Sequence, residues 1–330
     1  MSEARTPPRR VTGDHVAREA GVSRATVSYV LNNAPNQTIP RSTREKVLST
    51  AERLGYAPSA AARTLALGRS DVVVYLMPEL PLNATVGIFL ERLGSSLAAR
   101  GLTLLVRPWA RDAPPITALL GAVSPVALLV PDPLDAATVQ TLRAGGVRAV
   151  TPVVDHNDFL DAQKEIGRVQ AEALVAAGHT SLAGALTDDP RVAVAAARRF
   201  AGVREVCAER GLPAPVSAVV PLDVAQATEA VRGWRASAVT GVCAYDDDTA
   251  LAVLAGMTAL GLAAPRDLAL VGVDDAASGR VSTPTLTTVV WDQLALADQA
   301  ADAVASEIAG KPPRRRPQVA SVRLIARGSV

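Results

Sequence analysis

Gly21-Val22-Ser23-Arg24-Ala25-Thr26-Val27-Ser28-Tyr29-Val30-Leu31 is the stretch on which the reading of this chain turns. A glycine turn followed by Ser23, a good N-cap, predicts a short helix thrown outward. Upstream, Val16, Ala17 and Ala20 fall at helical spacing after Thr12, a second capping residue, so two short helices meet at a glycine-containing turn. That is a helix-turn-helix signature. On the second helix Val27, Val30 and Leu31 form the stripe to be buried, which leaves Arg24, Ala25, Ser28 and Tyr29 on other faces. The first residues of such a helix point at base edges when it lies in a major groove. Arg24 offers a guanidinium fork to guanine O6 and N7, and Ala25 is small enough to let the backbone approach or to touch a thymine methyl. The bland alternative is a surface arginine on an ordinary helical hairpin, and this stretch alone leaves both open.

The continuation weighs on the choice. Ser42-Thr43-Arg44-Glu45 predicts a capping box opening a third helix, with Val47, Leu48, Ala51 and Leu54 as its buried stripe and Gly55 as its stop. Pro58 then fixes an extended entry to residues 60–66, a helix-favouring run of about two turns that is marginal alone in water because nucleation is costly. It needs a partner. Four runs stand in order: VTGDHVAREAGVSRATVSYVLN at 11–32, STREKV at 42–47, LGYAPSAAARTLA at 54–66 and RLIARGS at 323–329. In these motifs the chain resembles the lac repressor family of bacterial transcription regulators.

That resemblance implies a homodimer on a double-stranded, near-palindromic DNA operator, most simply as a repressor. It implies paired hinge helices in the minor groove, with a leucine wedged between the central base steps. Leu65 matches that leucine, and Arg63 is placed for phosphate or groove contact. The candidate DNA contacts are Thr12, Ser23, Arg24, Ala25, Thr26, Ser28, Tyr29 and Asn32 in the headpiece and Ser59, Ala62, Arg63 and Leu65 in the hinge. Gly13 and His15 stand where relatives more often have apolar and acidic residues, a departure expected to loosen the first helix.

Charge agrees with a basic reader on a neutral-to-acidic body. Residues 1–70 hold 11 Lys+Arg against 5 Asp+Glu, and the remainder holds 23 against 27. The basic end carries the helix-turn-helix, as phosphate contact requires. Arg5, Pro7, Pro8, Arg9 and Arg10 read as a disordered basic arm over 1–10. Cys207 and Cys243 lack metal-ligand spacing and read as small buried residues in a reducing compartment. No signal peptide, no membrane span and no cofactor are expected, which places the protein in the cytoplasm, associated with the nucleoid.

From Asp71 onward apolar strands alternate with helical stretches. Candidate buried strands are 72–77, 102–106, 127–130, 147–154, 182–186, 218–220, 239–244 and 268–273. Such alternation argues for parallel sheets with helices on both faces. The resemblance implies two doubly wound subdomains like those of periplasmic sugar-binding proteins, joined by three crossings, placed here near Val154, Trp291 and Val319. The expected division is a helix-turn-helix domain at 11–57, a hinge at 58–69 and a core at 70–330. Within the core, 70–154 with 291–318 makes one subdomain and 155–290 with 319–330 the other. The run from Pro312 to Pro317 reads as an exposed loop.

Ligands of open α/β sheets bind at the C-terminal ends of strands. By the resemblance, Arg199 is the arginine presented to a small-molecule effector, a sugar or other metabolite, and Asp246 and Asp274 follow two strand ends in the same cleft. One guanidinium and two carboxylates suit a polyol, through paired hydrogen bonds, or a cationic ligand. Asp246 replaces the more usual asparagine, and the stretch 78–91 lacks the adjacent phenylalanines usual there, so a sugar is not strongly favoured. Two rivals remain: a regulator of this fold without a small-molecule response, and an enzyme using Asp246-Asp247-Asp248 with Asp274-Asp275 as a metal site or acid/base pair. Against the enzyme, consecutive carboxylates diverge and Asp247 and Asp248 are placed to cap a helix. There is also no phosphate loop and no nucleophile elbow.

Overall fold

A computed structural model describes residues 11–31, 38–56, 70–109, 115–312, 316–319 and 321–330. The arm at 1–10, Asn32 and the hinge residues Ser59, Ala62, Arg63 and Leu65 lie outside the described residues.

Three helices, α1 (Gly13–Ala20), α2 (Arg24–Leu31) and α3 (Arg41–Arg53), bury Val16, Ala17, Ala20, Val27, Val30, Val47 and Ala51 against one another. The expected capping box on α3 does not form. The helix starts at Arg41 with Pro40 as a cap that makes no side-chain bond. The Pro40 carbonyl accepts from the Arg44 amide at 3.0 Å, and Glu45 takes the Arg41 Nε–H at 2.8 Å instead of reaching back. Leu48 is also not core: it is 46% exposed, because the inner stripe runs through Val47, Thr50 and Ala51 and Leu48 lies about 100° round from Val47.

The rest of the chain builds two sheets. β1 (Val72–Pro78), α4 (Ala84–Ala98), β2 (Thr103–Trp109), α5 (Ala118–Val123), β3 (Ala127–Val130), α6 (Ala136–Ala144) and β4 (Ala149–Pro152) give a four-stranded parallel sheet in the order β2-β1-β3-β4. Along β1, Val73, Tyr75 and Met77 face one layer while Val74 and Leu76 face the other. Both faces are covered, so the strand reads as an unbroken apolar run rather than an alternating one.

The second sheet is built from α7 (His156–Ala176), β5 (Leu182–Leu186), α8 (Ala193–Glu209), β6 (Val216–Val219), α9 (Val224–Ala236), β7 (Gly241–Ala244), α10 (Asp247–Ala259), β8 (Ala269–Val273), α11 (Ala277–Arg280) and β9 (Thr287–Trp291). After β9, α12 (Gln293–Ile308) leaves this sheet and packs on α4, where Leu296, Ala300 and Val304 complete the first sheet's core and Arg92 grips Asp298 through two bonds of 2.9 and 2.6 Å. The chain then returns as β10 (Val322–Ile325), which pairs antiparallel with β9 and makes the order β10-β9-β8-β7-β5-β6. Trp291 packs against the cores of both sheets.

Strands β9 and β10 go beyond the eight expected, and β10 departs from the all-parallel expectation. In the basic run, Arg316 is exposed but Pro317 is buried, so it is not wholly an exposed loop. Cys207 and Cys243 are free and buried, and burial pushes both thiols up. Among the described residues no helix is long and apolar enough to cross a membrane.

Candidate functional site

In the headpiece, Gly21 turns the chain at φ +64°, a conformation that other residues adopt at a cost, and its amide closes on the Arg18 carbonyl at 3.2 Å. Ser23 then caps α2: its Oγ accepts from the Thr26 amide at 3.0 Å and pairs with the Thr26 hydroxyl at 2.9 Å. Two of the predicted contacts, Ser23 and Thr26, are thus engaged with each other at the start of the helix. Arg24 and Ala25 are exposed beside them, Tyr29 is 40% exposed one turn on, and Ser28 is half-buried. Arg24 lies 3.5 Å from the Asp14 carboxylate with both side chains mostly in solvent, a pairing weak enough to give up to a better partner.

Thr12 is exposed at the start of α1, and its amide donates to His15 Nδ1 at 3.2 Å. The imidazole therefore does what an acidic residue does in a capping box. Gly13 leaves room for Tyr56, whose hydroxyl oxygen would lie 3.2 Å from a Cβ at that position.

The second group of predicted residues meets at the C-terminal ends of β5, β7 and β8. Arg199 is carried there by a close crossing of α7 and α8. A Cβ on Gly167 would fall 1.8 Å from the Arg199 carbonyl oxygen, and one on Gly202 would fall 2.0 Å from the Lys164 carbonyl oxygen, so only glycine permits this approach. The buried guanidinium lies over the Tyr245 ring at 4.5 Å from its centre. It donates to Gln163 Oε1 at 2.5 Å and to the Tyr245 carbonyl, while its Nε–H is buried with no partner among the described residues. Gln170 locks the same region from beneath, donating to the Ala244 carbonyl at 2.7 Å and the Val271 carbonyl at 3.0 Å.

Asp246 is the N-cap of α10, accepting from the Thr249 amide at 2.8 Å. Asp274 ends β8 at φ +101°, a strained position for a residue with a side chain. Burial pushes its carboxyl up to about 6; the Arg199 charge opposes this and the Asp246 charge adds to it. Across from it, Asn83, the N-cap of α4 on the first sheet, donates from Nδ2 to Asp274 Oδ2 at 3.4 Å. Thr85 Oγ1, also buried, is near enough to help hold that carboxyl charged but makes no complete hydrogen bond. Arg199, Asp246 and Asp274 are therefore brought together around Tyr245, whose phenol is raised by burial first and is felt by all three charges.

Sequence reasoning missed Tyr245, Gln163, Asn83 and Thr85 as neighbours of the cleft. Only Asn83, a capping type just before a helix, left a local signal.

Two of the other carboxylates, Asp247 and Asp275, are structural. Asp247, expected as a helix cap, is instead fully buried: Oδ1 accepts the Thr288 hydroxyl at 2.7 Å and Oδ2 the Ala276 amide at 2.7 Å, with Asp246 taking the cap. Burial pushes the Asp247 carboxyl up to about 7 against those two bonds. Asp275 is held by Arg280 at 2.8 Å and by Arg327 of the C-terminal motif. Beside it Ser329 accepts the Thr287 amide at 2.8 Å and donates to the Leu270 carbonyl at 2.7 Å, which is what the RLIARGS run is for. No group of three or more His, Cys, Asp or Glu among the described residues is arranged to hold a metal ion.

Comparison with known proteins decides the family. The model of bacterial regulatory proteins of the lacI family matches residues 14–59, and that of the periplasmic binding protein-like domain matches 171–330. The transcriptional regulator CelR of Thermobifida fusca is 30% identical over 85% of this chain and 87% of its own length. The chain belongs to the lacI family. Other lacI-family relatives are the catabolite control protein A of Priestia megaterium, 29% identical over 85% of this chain and 87% of its own, and MalR of Streptomyces coelicolor, 29% identical over 95% of both. In fold, the lac repressor dimer bound to operator and the anti-inducer ONPF covers 97% of this chain and 99% of its own at TM-score 0.74 and 24% identity. A CelR–cellobiose complex covers 97% and 100% at TM-score 0.60 and 25% identity. This lacI-family chain is accordingly a DNA-binding transcriptional regulator, with α2, α3 and all of α1 but Gly13 inside the matched segment 14–59.

Proposed function

We propose that this lacI-family regulator is a cytoplasmic, nucleoid-associated repressor that grips a near-palindromic operator as a homodimer and answers to a small-molecule effector in the cleft between its two sheets. In this reading residues 11–57 read the operator, 58–69 form the hinge, and the core at 70–330 divides into 70–154 with 291–318 and 155–290 with 319–330. Residues 1–10 are a basic arm. The α2 helix lays Arg24 and Ala25 against base edges, Ser23, Thr26, Ser28, Tyr29, Thr12 and Asn32 fix its register, and Ser59, Ala62, Arg63 and Leu65 act at the minor groove.

The observation that carries the effector reading is the convergence of Arg199, Asp246 and Asp274 opposite Asn83, which belongs to the other sheet. A ligand seated between them makes contacts in one arrangement of the subdomains that it loses in another, and it shifts the hinge by that difference. Catalysis has no place in this account, because Asp247 and Asp275 are taken up by structural donors and Asp246 caps a helix. The test is the affinity of the full chain for a selected duplex, measured with and without metabolites that stabilise the protein. Affinity should change with such a metabolite, and Arg199→Ala should abolish the change. A duplex affinity indifferent to every metabolite that binds would overturn the coupling.

A further inference from the structure

Charge accounting in the cleft says more about the ligand. The carboxylates near Tyr245 and just after β8 fall into two sets. Asp189 is clasped by Arg191 at 2.9 and 2.5 Å, and Asp275 by Arg280 and Arg327, so both are neutralised within the protein. Asp246 and Asp274 are not. Among the described residues no Arg or Lys forms an ion pair with either of them: Asp246 takes an amide and Asp274 a side-chain carboxamide. Arg199 is the nearest cation, yet its own bonds go to two neutral carbonyl oxygens, of Gln163 and Tyr245. One guanidinium thus stands against two carboxylates without an ion-pair partner, both half-buried. The Asp274 carboxyl is displaced upward by burial first; the Arg199 charge opposes this and the Asp246 and Asp248 charges add to it.

Two further polar atoms near these carboxylates are buried and incompletely satisfied. Thr85 Oγ1, on a residue 8% exposed, lies against the Asp274 carboxyl without completing a hydrogen bond, and Arg199 Nε, on a residue 7% exposed, has no hydrogen-bond partner among the described residues. Buried polar groups are nearly always satisfied, so a pair left open beside an uncancelled charge marks a place where a ligand supplies the partners.

We propose that the effector of this regulator is a small hydroxylated organic cation, of which an amino sugar is the simplest example: its ammonium sits between Asp246 and Asp274 and its hydroxyls meet Thr85 and Arg199. This rests on the cleft being the effector site and adds the charge of the ligand. A neutral sugar leaves the surplus charge in place. A cation removes it and makes charge-assisted bonds, the stronger kind.

The experiment is calorimetry and thermal shift on the full chain with matched pairs: D-glucosamine against D-glucose, D-galactosamine against D-galactose and D-mannosamine against D-mannose. In at least one pair the amine should bind about tenfold or more tightly than its neutral twin, with a gap that narrows as salt rises. Asp246→Asn keeps a capping side chain, so its unliganded melting temperature should match the parent's while the preference for the amine collapses. A neutral twin that binds as well as its amine overturns the charge proposal and leaves the cleft standing as the effector site. Binding by no member of any pair also overturns it. The cleft itself is judged separately, by whether Arg199→Ala abolishes metabolite-driven changes in operator affinity.

Discussion

At Asp247 a carboxylate that looks functional in the sequence proves to be structural. It sits in an acidic run at a strand end, yet it is 1% exposed and joins β9 to the turn after β8. Gly272 packs so closely that a Cβ there would fall 2.1 Å from its Oδ1. Because burial raises its carboxyl to about 7 from 3.8, the folded protein holds that proton more tightly than the unfolded chain. The group therefore costs stability progressively as pH rises from about 4 to about 7, and nothing further is lost above that window. Asp247→Asn keeps an acceptor and adds a donor that the Thr288 hydroxyl can take. Urea unfolding at pH 5 and pH 8 should show the variant gaining on the parent at the higher pH by roughly 1–3 kcal/mol. An identical pH dependence in the two proteins would mean Asp247 is not held near neutrality by its burial. The sequence placed Asp246, Asp247 and Asp248 correctly at a helix start but not which of them caps it, because that depends on Thr288 and Ala276, many residues away.

Among the elements, the α7–α8 crossing sets the cleft, and its cause is two glycines. Gly167→Ala drives a methyl into the Arg199 carbonyl, so the helices must part and the guanidinium must leave Gln163 and Tyr245. Overpacking of this kind costs about 1–3 kcal/mol. Calorimetry should find effector affinity reduced about tenfold or more, whereas Leu142→Ala, a cavity in the first sheet's core, should leave it near the parent's. Equal losses in both variants would reduce the crossing to a matter of general stability. Most strands were legible because burial on both faces writes them as apolar runs. Strands β9 and β10 were not: Thr287 and Thr288 are buried, but they are polar because their hydroxyls serve the Arg327 amide and Asp247, and β10 is a short edge strand with an exposed arginine. The capping box on α3 misled for the opposite reason, since a favourable local pattern lost to the Pro40 start and the Arg41–Glu45 pair.

For the whole molecule, the charge imbalance between the first 70 residues and the remainder, together with four motifs in order, gave the family and the architecture. The cleft was legible only in part, as three residues of a set that also includes Tyr245, Gln163, Asn83 and Thr85, since tertiary packing alone joins residues so far apart in sequence. The central claim is that a symmetric pair of headpieces reads DNA under the control of the core. Selection of bound duplex from a random pool by the full chain tests it most directly. The account predicts a two-fold symmetric consensus, and with Arg24→Ala a loss of preference at the same position in each half, worth about 1–3 kcal/mol per half-site. No enrichment over random duplex, or a single asymmetric site unchanged by Arg24→Ala, would contradict it.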